Sequence, residues 1–481
     1  MEIPFSELAS LEGVDYCIIG SGPAGITCAR ELAAKNRKVL LLEGGGREWS
    51  EESQSLYEGE TLGDTYYDLQ DARLRYFGGT SNHWAGWCRP LDAHEFEGKG
   101  PTAIGRWPIR RKDLDEYFPR AGEILEIELP EPDTVLPGGM LRRISYSFSP
   151  PARFGEKYQS EIIASDRIIL ALNCNLTRMN AAGSAILSIT VQDYGGGSVE
   201  VKARDFILAC GGIENSRLLL WSNLASGGVL LKEQAKLVGR YWFEHHHAEI
   251  GDAIVETGFI QPPDNPGPGA KGIMLLSLTP KMVAEKGILS CSLRLNPSPR
   301  SGVKALIEDI ACVAPTWASW ADGEAEKGQL CAHRLKATAE QEPRFENRVE
   351  LGDATDRFGI PKVRLHWRHS ELDLRTFRES AKALGVYLAV EDIGRVRLLP
   401  WLVGEAEYPQ ENPHAAYHHM GGTRMADDAG SGVVDRNCLV FGLSNLHVIG
   451  SSVFPGGGHS TPTVTIVQLA LRLSDHLAAR S

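Results

Sequence analysis

The amino-acid sequence predicts an α/β protein in which a nucleotide-binding domain is interrupted by the segments of a second domain. The first observation is a βαβ unit near the N-terminus, over residues 14–43. The second is a pair of short apolar strands at 206–210 and 445–449, each of which runs directly into glycine. The third is that the stretches between these strands carry mixed helix and strand patterns without a motif. This spacing indicates a discontinuous first domain and a second domain built from insertions.

The βαβ unit begins with a buried parallel strand over 14–19, which is a short apolar run that ends in glycine. Gly20, Gly22 and Gly25 follow with the spacing Gly-x-Gly-x-x-Gly, and apolar residues at helical spacing continue over 26–35. Such glycines permit a tight turn, close approach of a pyrophosphate and close packing of helix on strand. We therefore predict a Rossmann-like dinucleotide site at this turn.

The second strand of the unit, over 38–42, ends at Glu43, which lies 18 residues after Gly25. An acidic residue about 20 residues beyond the glycines accepts hydrogen bonds from a ribose hydroxyl and disfavours a 2′-phosphate. Glu43 is therefore a candidate ribose ligand. The motif by itself does not distinguish NAD from FAD.

Composition and charge exclude several classes of protein. Of the 481 residues 42% are hydrophobic and 23% charged, and 51 are glycine, more than the usual fraction of about 7%. The net charge of −12 repels phosphate backbones, so we predict no nucleic-acid partner. No apolar run approaches the length of a membrane span, and the first residues are acidic rather than basic. We expect a cytoplasmic protein without a membrane span.

No metal site is predicted. The nine cysteines are scattered without a Cys-x-x-Cys pair or zinc-like spacing, which suits reduced thiols. Three consecutive histidines occur at 245–247, but consecutive side chains diverge and no Cys or acidic residue stands at ligand spacing. We interpret this run as a turn at a domain boundary.

The most specific motifs follow the βαβ unit along the chain, and the C-terminal part carries most of them. They are GGTSNHW at 78–84, ACGGIENSR at 209–217, HHMGGTRM at 418–425, NLHVIGSSVFP at 445–455 and GHSTPT at 458–463. Together with the βαβ unit they cover about a third of the chain. Their order resembles the glucose–methanol–choline (GMC) oxidoreductases, and most of all the branch with pyranose 2-oxidase and bacterial sugar dehydrogenases.

The resemblance implies FAD bound in an extended form and a substrate-binding domain built on an antiparallel sheet. The boundaries that follow are 1–92, 200–245 and 412–481 for the FAD-binding domain, with 93–199 and 246–411 for the substrate-binding domain. The cofactor-binding residues expected from the motifs are Gly20, Gly22, Gly25, Glu43, Gly79, Thr80, Ser81, His83, Gly211, Gly450 and Ser451.

His83 receives a further expectation from the same resemblance. In the pyranose-oxidase branch the histidine of a Ser-x-His-Trp segment is the point of covalent flavin attachment, and residues 81–84 match that segment. Relatives with similar motifs instead pack this histidine against a non-covalent flavin. Both alternatives remain open from the sequence.

The chemistry implied by the resemblance is oxidation of an alcohol to a carbonyl, in which a base takes the hydroxyl proton while hydride passes to flavin N5. Neutral imidazole suits the role of base. The motif assigns it to His419 and a structural role to His418. The second polar partner of the family aligns with Thr461, which departs from the usual His or Asn and is no base. His459, two residues earlier, could share that work.

The final helix is expected to run from Pro462 to about Leu477, with Thr461 as its cap. It is apolar nearly all round and is therefore predicted to be buried. Its N-terminus would face the flavin if the geometry of the family holds, and the positive end of the helix dipole would stabilise the anion of reduced flavin.

We therefore predict an FAD-dependent alcohol oxidoreductase that acts on a sugar, glycoside or amino sugar, with oxygen or another electron acceptor. A steroid or simple alcohol is an alternative substrate. Alternative functions are a non-redox lyase on the same fold, an NAD-dependent dehydrogenase that uses only the first βαβ unit, and a non-catalytic binding protein. Reduction of the flavin by substrate distinguishes the oxidoreductase from the lyase. The visible spectrum of the purified protein distinguishes it from the NAD-dependent dehydrogenase.

Overall fold

The computed structural model describes residues 1–98, 105–128, 130–150, 153–256, 258–259, 271–297, 330–411 and 413–480. The strands in chain order are β1 Tyr16–Ile19, β2 Val39–Leu42, β3 Gly59–Gly63, β4 Trp87–Cys88, β5 Thr134–Val135, β6 Leu141–Phe148, β7 Ile168–Ala171, β8 Asn175–Ala182, β9 Ala185–Gln192, β10 Ser198–Val201, β11 Asp205–Leu208, β12 His245–Glu256, β13 Gly272–Leu278, β14 Cys291–Pro297, β15 Leu330–Glu340, β16 Arg348–Thr355, β17 Pro361–Trp367, β18 Gly394–Leu398 and β19 Leu446–Val448. The α-helices are Pro23–Ala34, Glu51–Gln54, Lys112–Asp115, Phe118–Leu125, Phe154–Ala164, Gly211–Ala225, Pro280–Lys286, Glu371–Val390, Pro400–Val403 and Thr463–Ala479.

A parallel sheet in the order β19-β11-β1-β2-β7 forms the first layer of the protein. Every residue of these five strands is buried, because helices cover both faces of a parallel sheet. The sheet confirms the Rossmann-like prediction, including the strands expected near residues 206 and 446.

The first and last α-helices of the chain pack against each other beside this sheet. The Ser474 hydroxyl donates to Ala470 O at 2.8 Å and lies 3.3 Å from the Cys28 thiol. The last helix is Thr463–Ala479 and buries most of its apolar residues, as predicted. The expected cap is wrong, however, because Pro462 occupies the cap position and the Thr461 hydroxyl donates to Trp87 O at 2.7 Å.

The second layer is an antiparallel sheet in the order β18-β12-β15-β14-β13-β6-β4, with β5 paired to β6. The helix Glu371–Val390 packs on it through buried residues such as Phe377 and Leu384. A capping box begins this helix, since Ser370 Oγ accepts from Asp373 N and Asp373 Oδ2 accepts from Ser370 N. The antiparallel sheet expected for the substrate-binding domain is therefore present.

Two smaller sheets complete the described fold. Strands β10-β9-β8 form an antiparallel meander, and β17 pairs antiparallel with β16 and parallel with β3. The Asn445 amide fastens the meander to the start of β19, because its Nδ2 donates to Ile186 O at 2.9 Å. Among the described helices, none is long and apolar enough to cross a membrane.

Some strands pair across the predicted domain boundaries. Strand β7 lies within the range 93–199, which the sequence assigns to the substrate-binding domain, yet it pairs with β2 at the edge of the parallel sheet. The histidines 245–247 also differ from expectation. They begin strand β12 rather than form a turn, so alternate side chains point to opposite faces.

Candidate active site

A deep cavity lies between the two main sheets. On one side it is lined by residues that directly follow β1, β2, β11 and β19, at the carboxyl ends of the parallel strands. On the other side it is lined by Leu275, Ser292, Arg294 and Thr338 from the antiparallel sheet. Ligands of open α/β sheets bind at the carboxyl ends of the strands, so the first side is the expected cofactor half.

The glycine turn predicted from the sequence lies at this end of β1. A side chain at Gly25 would run into Gly20 O, so helix and strand could not pack as closely with any other residue. A side chain at Gly22, in contrast, would meet nothing within 4 Å. Because Gly22 lines the cavity, that open space belongs to the ligand, and the helix Pro23–Ala34 begins beside it.

Glu43 follows β2 and is buried at the floor of the same turn. Its Oε2 accepts from Ser21 N at 3.1 Å and Ser21 Oγ at 2.6 Å, and its Oε1 accepts from Gly45 N at 2.9 Å. The carboxylate therefore braces the glycine turn and also lines the cavity, where it can accept a hydrogen bond from a ribose hydroxyl.

A second turn, Gly78–Ser81, closes over the first. Gly79, Thr80 and Ser81 all line the cavity. Their hydroxyl groups stabilise the turn itself, since Ser81 Oγ donates to Gly78 O at 2.6 Å and Thr80 Oγ1 accepts from Leu74 N at 3.1 Å. The structure thus brings these predicted residues to the cavity as part of its wall.

His83 is the exception within this segment. It ends the same short 3₁₀-helix, but its side chain is exposed and it does not line the cavity. Trp84 and Ala85, which follow it, do line the cavity. The exposed His83 imidazole therefore lies outside the cavity wall that its two neighbours help to form.

Three further predicted residues lie at strand ends on the cavity wall. Gly211 begins the helix after β11, and Gly450 follows β19; a side chain at either would meet nothing within 4 Å. Ser451 Oγ donates to His419 O at 2.6 Å. Ser451 therefore fixes the backbone of the histidine motif to the end of β19.

Arg73 is a residue of the cofactor half that the sequence does not reveal. Its guanidinium stacks 3.8 Å above the Tyr57 ring and lies 3.4 Å from Glu214 Oε2. Its Nε and Nη2 atoms are buried without a hydrogen-bond partner among the described residues. A buried cation with unpaired donors on a cavity wall is suited to an anionic ligand such as a phosphate.

His419 lies in the cavity wall beside a buried polar network. Its Nε2 is buried without a hydrogen bond among the described residues, 3.8 Å from Glu244 Oε1. Glu244 in turn accepts from the Tyr66 hydroxyl at 2.7 Å and from Ala416 N at 3.1 Å. Burial, with a smaller contribution from the charge of Arg73, lowers the pKa of His419 to about 3.

Glu244 itself is fully buried. Burial raises its pKa to about 7, although the hydrogen bonds from Tyr66 and from backbone N–H groups act in the opposite direction. The Glu244 carboxyl group therefore changes its charge near neutral pH. It also connects the start of β12 to the histidine motif, because it accepts from His245 N as well as Ala416 N.

His418 is half-buried and also lines the cavity. Its Nδ1 lies 2.8 Å from Nδ1 of His245, which is fully buried behind it. Within the described residues, Nε2 of His418 makes no hydrogen bond and is not buried. Burial, and then the neighbouring His245, lowers the pKa of His418 well below its usual range, so its imidazole is neutral at working pH.

His459 lines the cavity but directs both ring nitrogens toward protein groups. Nδ1 lies 3.2 Å from the Tyr146 hydroxyl, and Nε2 lies 3.6 Å from Asp92 Oδ2. Burial lowers the pKa of His459 to about 3 despite the opposing charge of Asp92. Asp92 is held between Arg89 and Arg142.

Thr461 has its hydroxyl hydrogen committed to Trp87 O, so its oxygen remains available only as an acceptor on the cavity side.

Among the described residues, Asp92, His94 and Glu95 form a group of possible metal ligands, with ligand atoms within 4.8 Å of one another. The ion pairs of Asp92 to two arginines already neutralise it, so this cluster does not make a case for a metal.

Comparisons with known proteins bear directly on this arrangement. A sequence profile described as GMC oxidoreductase matches residues 343–470, and one described as an NAD(P)-binding Rossmann-like domain matches residues 18–47. The chain is 24% identical to the 2-methyl-1,2-propanediol dehydrogenase of Mycolicibacterium austroafricanum, over 98% of this chain and 96% of that protein. The chain is thus similar to the GMC oxidoreductases, and residues 343–470 match the profile of that family.

Other relatives match shorter segments of the chain. The C-glycoside 3-oxidase of Arthrobacter globiformis is 32% identical over 30% of this chain and 25% of its own length. The paromamine 6'-oxidase of Streptomyces fradiae is 23% identical over 64% of this chain and 51% of its own length.

Solved structures show the same fold. Pyridoxine 4-oxidase from Mesorbium loti superposes with a TM-score of 0.58 at 17% identity, and covers 96% of this chain and 98% of its own. Formate oxidase from Aspergillus oryzae, in a structure concerned with FAD modification, has a TM-score of 0.55 at 17% identity, with coverage of 97% and 98%.

The similarity to GMC oxidoreductases implies FAD as the cofactor, and the cavity fits that group. The space beside Gly22, Gly211 and Gly450 is open toward the cavity, and each of these glycines lies at a different strand end. Glu43 presents carboxylate oxygens, and Arg73 presents unpaired buried donors. A long dinucleotide with a ribose and a pyrophosphate matches this set of partners.

Proposed function

We propose that this protein oxidises one hydroxyl group of a polyhydroxylated small molecule to a carbonyl, with FAD as its cofactor. The observation that carries the proposal is the single cavity, which joins the dinucleotide-binding strand ends to neutral histidines and to polar residues of the antiparallel sheet. FAD, when bound, supplies the acceptor for the two electrons of the alcohol carbon.

The residues of this chain that would hold FAD are those of the cofactor half. Glu43 accepts from the ribose, the glycine turn with its following helix faces the pyrophosphate, and Arg73 supplies a positive charge. Because His83 is exposed and outside the cavity wall, we propose that FAD is bound without a covalent bond.

We further propose that His419 takes the substrate proton at Nε2, as the sequence motif predicts. His419 lines the cavity, and its Nε2 makes no hydrogen bond among the described residues. His418 is instead engaged through Nδ1 with His245. Burial keeps both imidazoles neutral, which is the state that a general base requires.

Thr461 and His459 have different roles in this proposal. The Thr461 oxygen accepts a hydrogen bond from a second substrate hydroxyl, since its own hydrogen is held by Trp87 O. His459 supports the wall between Tyr146 and Asp92, because neither ring nitrogen faces open space. Replacement of His459 should therefore affect stability more than the chemical step.

The substrate class rests on the residues of the other cavity half. Ser292, Thr338 and His247 offer hydroxyl and imidazole groups, and Trp87 and Tyr146 offer aromatic faces. Such a mixture binds the alternating polar and apolar surfaces of a sugar ring. The names of the relatives, which act on a diol, a C-glycoside and paromamine, agree with a polyhydroxylated substrate.

The test is an anaerobic screen of diols, sugars, glycosides and amino sugars for loss of the flavin absorbance, followed by reoxidation with oxygen or a quinone dye. Bleaching by a member of these classes supports the proposal, and the reoxidant distinguishes an oxidase from a dehydrogenase. If cyanohydrins are cleaved while the flavin stays oxidised, the chain is a lyase. If only a steroid or a monohydric alcohol bleaches the flavin, the proposed polyhydroxylated substrate is wrong and that compound class takes its place.

A further inference from the structure

The turn between β16 and β17, residues 356–360, contributes to the wall of the cavity. Asp356, Phe358 and Ile360 all line it. The sequence assigns this turn to the substrate-binding domain, within the range 246–411, so no cofactor contact is expected from it. Its place on the cavity wall therefore raises the question of which part of the ligand it meets.

A chain of contacts joins this turn to the end of the cavity where Glu43 lies. The Tyr194 hydroxyl donates to the carbonyl oxygen of Gly44, the residue after Glu43, at 2.7 Å. The centroid of the Tyr194 ring lies 5.8 Å from that of Phe358. Phe358 is thus one aromatic ring away from the segment that would hold the ribose of a dinucleotide. The base of a dinucleotide is attached to this ribose, so it must lie nearby.

The cavity wall around this turn offers apolar side chains. The Arg217 Nη2 atom donates to Asp356 Oδ2 at 2.6 Å and to Ile360 O at 3.1 Å, which brings the helix Gly211–Ala225 beside the turn. Leu218, the next residue of that helix, is buried and lines the cavity together with Phe358. Apolar and aromatic side chains of this kind suit the flat ring of a base, every one of which presents a π-face.

The conformation of the turn is fixed by its own hydrogen bonds. Asp356 Oδ1 accepts from Phe358 N at 2.8 Å and from Ile360 N at 3.0 Å. The Arg217 Nε atom also donates to Pro361 O at 2.7 Å, so both sides of the turn are held. Because the backbone of Phe358 is already held in place, little conformational entropy is lost when a ligand contacts its ring.

We propose that Phe358 packs against the adenine ring of FAD, and that the turn 356–360 thereby completes the cofactor site. FAD would then contact both the parallel sheet, through Glu43 and the glycine turn, and the β16–β17 hairpin. The inference rests on FAD as the cofactor, which is part of the proposed function.

The test measures cofactor binding and needs no substrate. In a fluorescence titration of FAD-depleted full-length protein, Phe358→Ala should raise the Kd of FAD by ~10- to 100-fold, because the contact between an aromatic ring and a base is lost. Phe358→Tyr keeps the ring and should stay within about threefold of the wild type. ADP carries the adenosine part without the flavin, so its inhibition constant against FAD should weaken in Phe358→Ala by the same factor as the Kd of FAD. The visible absorption spectrum of bound FAD should not change, since the substitution is remote from the flavin.

Phe345→Ala is the matched control. This phenylalanine precedes the same hairpin, is 41% exposed and packs on Tyr241 at a centroid distance of 5.6 Å, outside the cavity wall. Its replacement should leave the Kd of FAD within about threefold of the wild type. If Phe358→Ala lowers the Tm of the FAD-depleted protein, Phe358→Leu replaces it, since leucine fills the space without a ring. That variant should still weaken FAD and ADP alike, by about threefold or more.

Three results would overturn the inference. They are an unchanged Kd of FAD in the folded Phe358 variants, an equal loss in Phe345→Ala, and a weaker FAD with an unchanged inhibition by ADP. The last would place the effect outside the adenosine part. A wild type that binds no FAD would show instead that the proposed cofactor is wrong, whereas tight FAD binding that ignores Phe358 removes this inference alone.

Discussion

Replacing Glu244 by Gln should stabilise the protein at alkaline pH and leave its stability unchanged at acidic pH. The buried carboxyl has its pKa raised by burial from an ordinary 4.5 to about 7. A carboxyl whose pKa is raised in the folded state makes its full contribution to the free energy of unfolding below pH 4.5. That contribution is lost as the pH rises to about 7. Above pH 7 the wild type therefore carries the cost of an ionised buried group.

That cost is about 3 kcal/mol, since each pH unit between the two pKa values is worth about 1.4 kcal/mol. Glutamine cannot ionise, and its geometry suits the site. Its oxygen can accept from the backbone N–H groups of His245 and Ala416, while its amide donates to the Tyr66 oxygen. The entropy of unfolding for a chain of this length is ~1 kcal/mol/K, so we expect Tm to rise by about 3 °C at pH 8.

The assay is thermal unfolding of the FAD-loaded wild type and Glu244→Gln at pH 5, 6, 7 and 8, at one ionic strength and one scan rate. The difference in Tm should be near zero at pH 5 and should grow between pH 5 and 7. Glu123→Gln, at an exposed position, is the control and should give a difference that does not vary with pH. A Glu244→Gln difference that is the same at pH 5 and pH 8 would refute the assignment of a buried carboxyl that titrates near neutrality.

Further variants test the remaining parts of the site. His419→Ala should slow anaerobic flavin reduction by substrate at least ~100-fold, as expected for a lost general base, and His418→Ala should slow it much less; the reverse order in stopped-flow traces would assign the base to His418. Thr461→Ala should slow the same step roughly two- to tenfold, the loss of one hydrogen bond, and a hundredfold loss would contradict an accessory role. Arg73→Gln should weaken FAD binding by ~10- to 100-fold in a fluorescence titration of FAD-depleted protein, whereas an unchanged Kd would remove Arg73 from the cofactor site. Acid precipitation of the wild type should leave the yellow colour in the supernatant; colour that stays in the pellet and is released by His83→Ala would demonstrate covalent attachment.

The parallel sheet could be predicted from the sequence because four of its strands are marked by their surroundings. Each of β1, β11 and β19 runs within three residues into glycine, and β2 runs into Glu43. Strand β7 has no such mark, since Ile168–Ala171 is followed by Leu172 and Asn173. Four apolar residues without a motif are too short a signal, and their place beside β2 is decided by tertiary packing.

The polar network around the histidines could not be predicted for a different reason. Tyr66, Glu244 and Ala416 are far apart in the chain, and each stands in an ordinary local sequence. Only the fold brings the Tyr66 hydroxyl and the Ala416 N–H to the same carboxyl group. Arg73 could not be predicted for the same reason. Two of its donor nitrogens are buried without a hydrogen-bond partner among the described residues, and no local sequence pattern indicates this.

The pair His418 and His419 shows what a motif leaves to the fold. A motif identifies a short segment, but two adjacent side chains in that segment face different surroundings. His419 turns toward Trp242, Tyr66 and the Glu244 carboxyl, whereas His418 turns toward β12 and the cavity half of the antiparallel sheet. The division of roles is therefore set by what packs on either side of the segment.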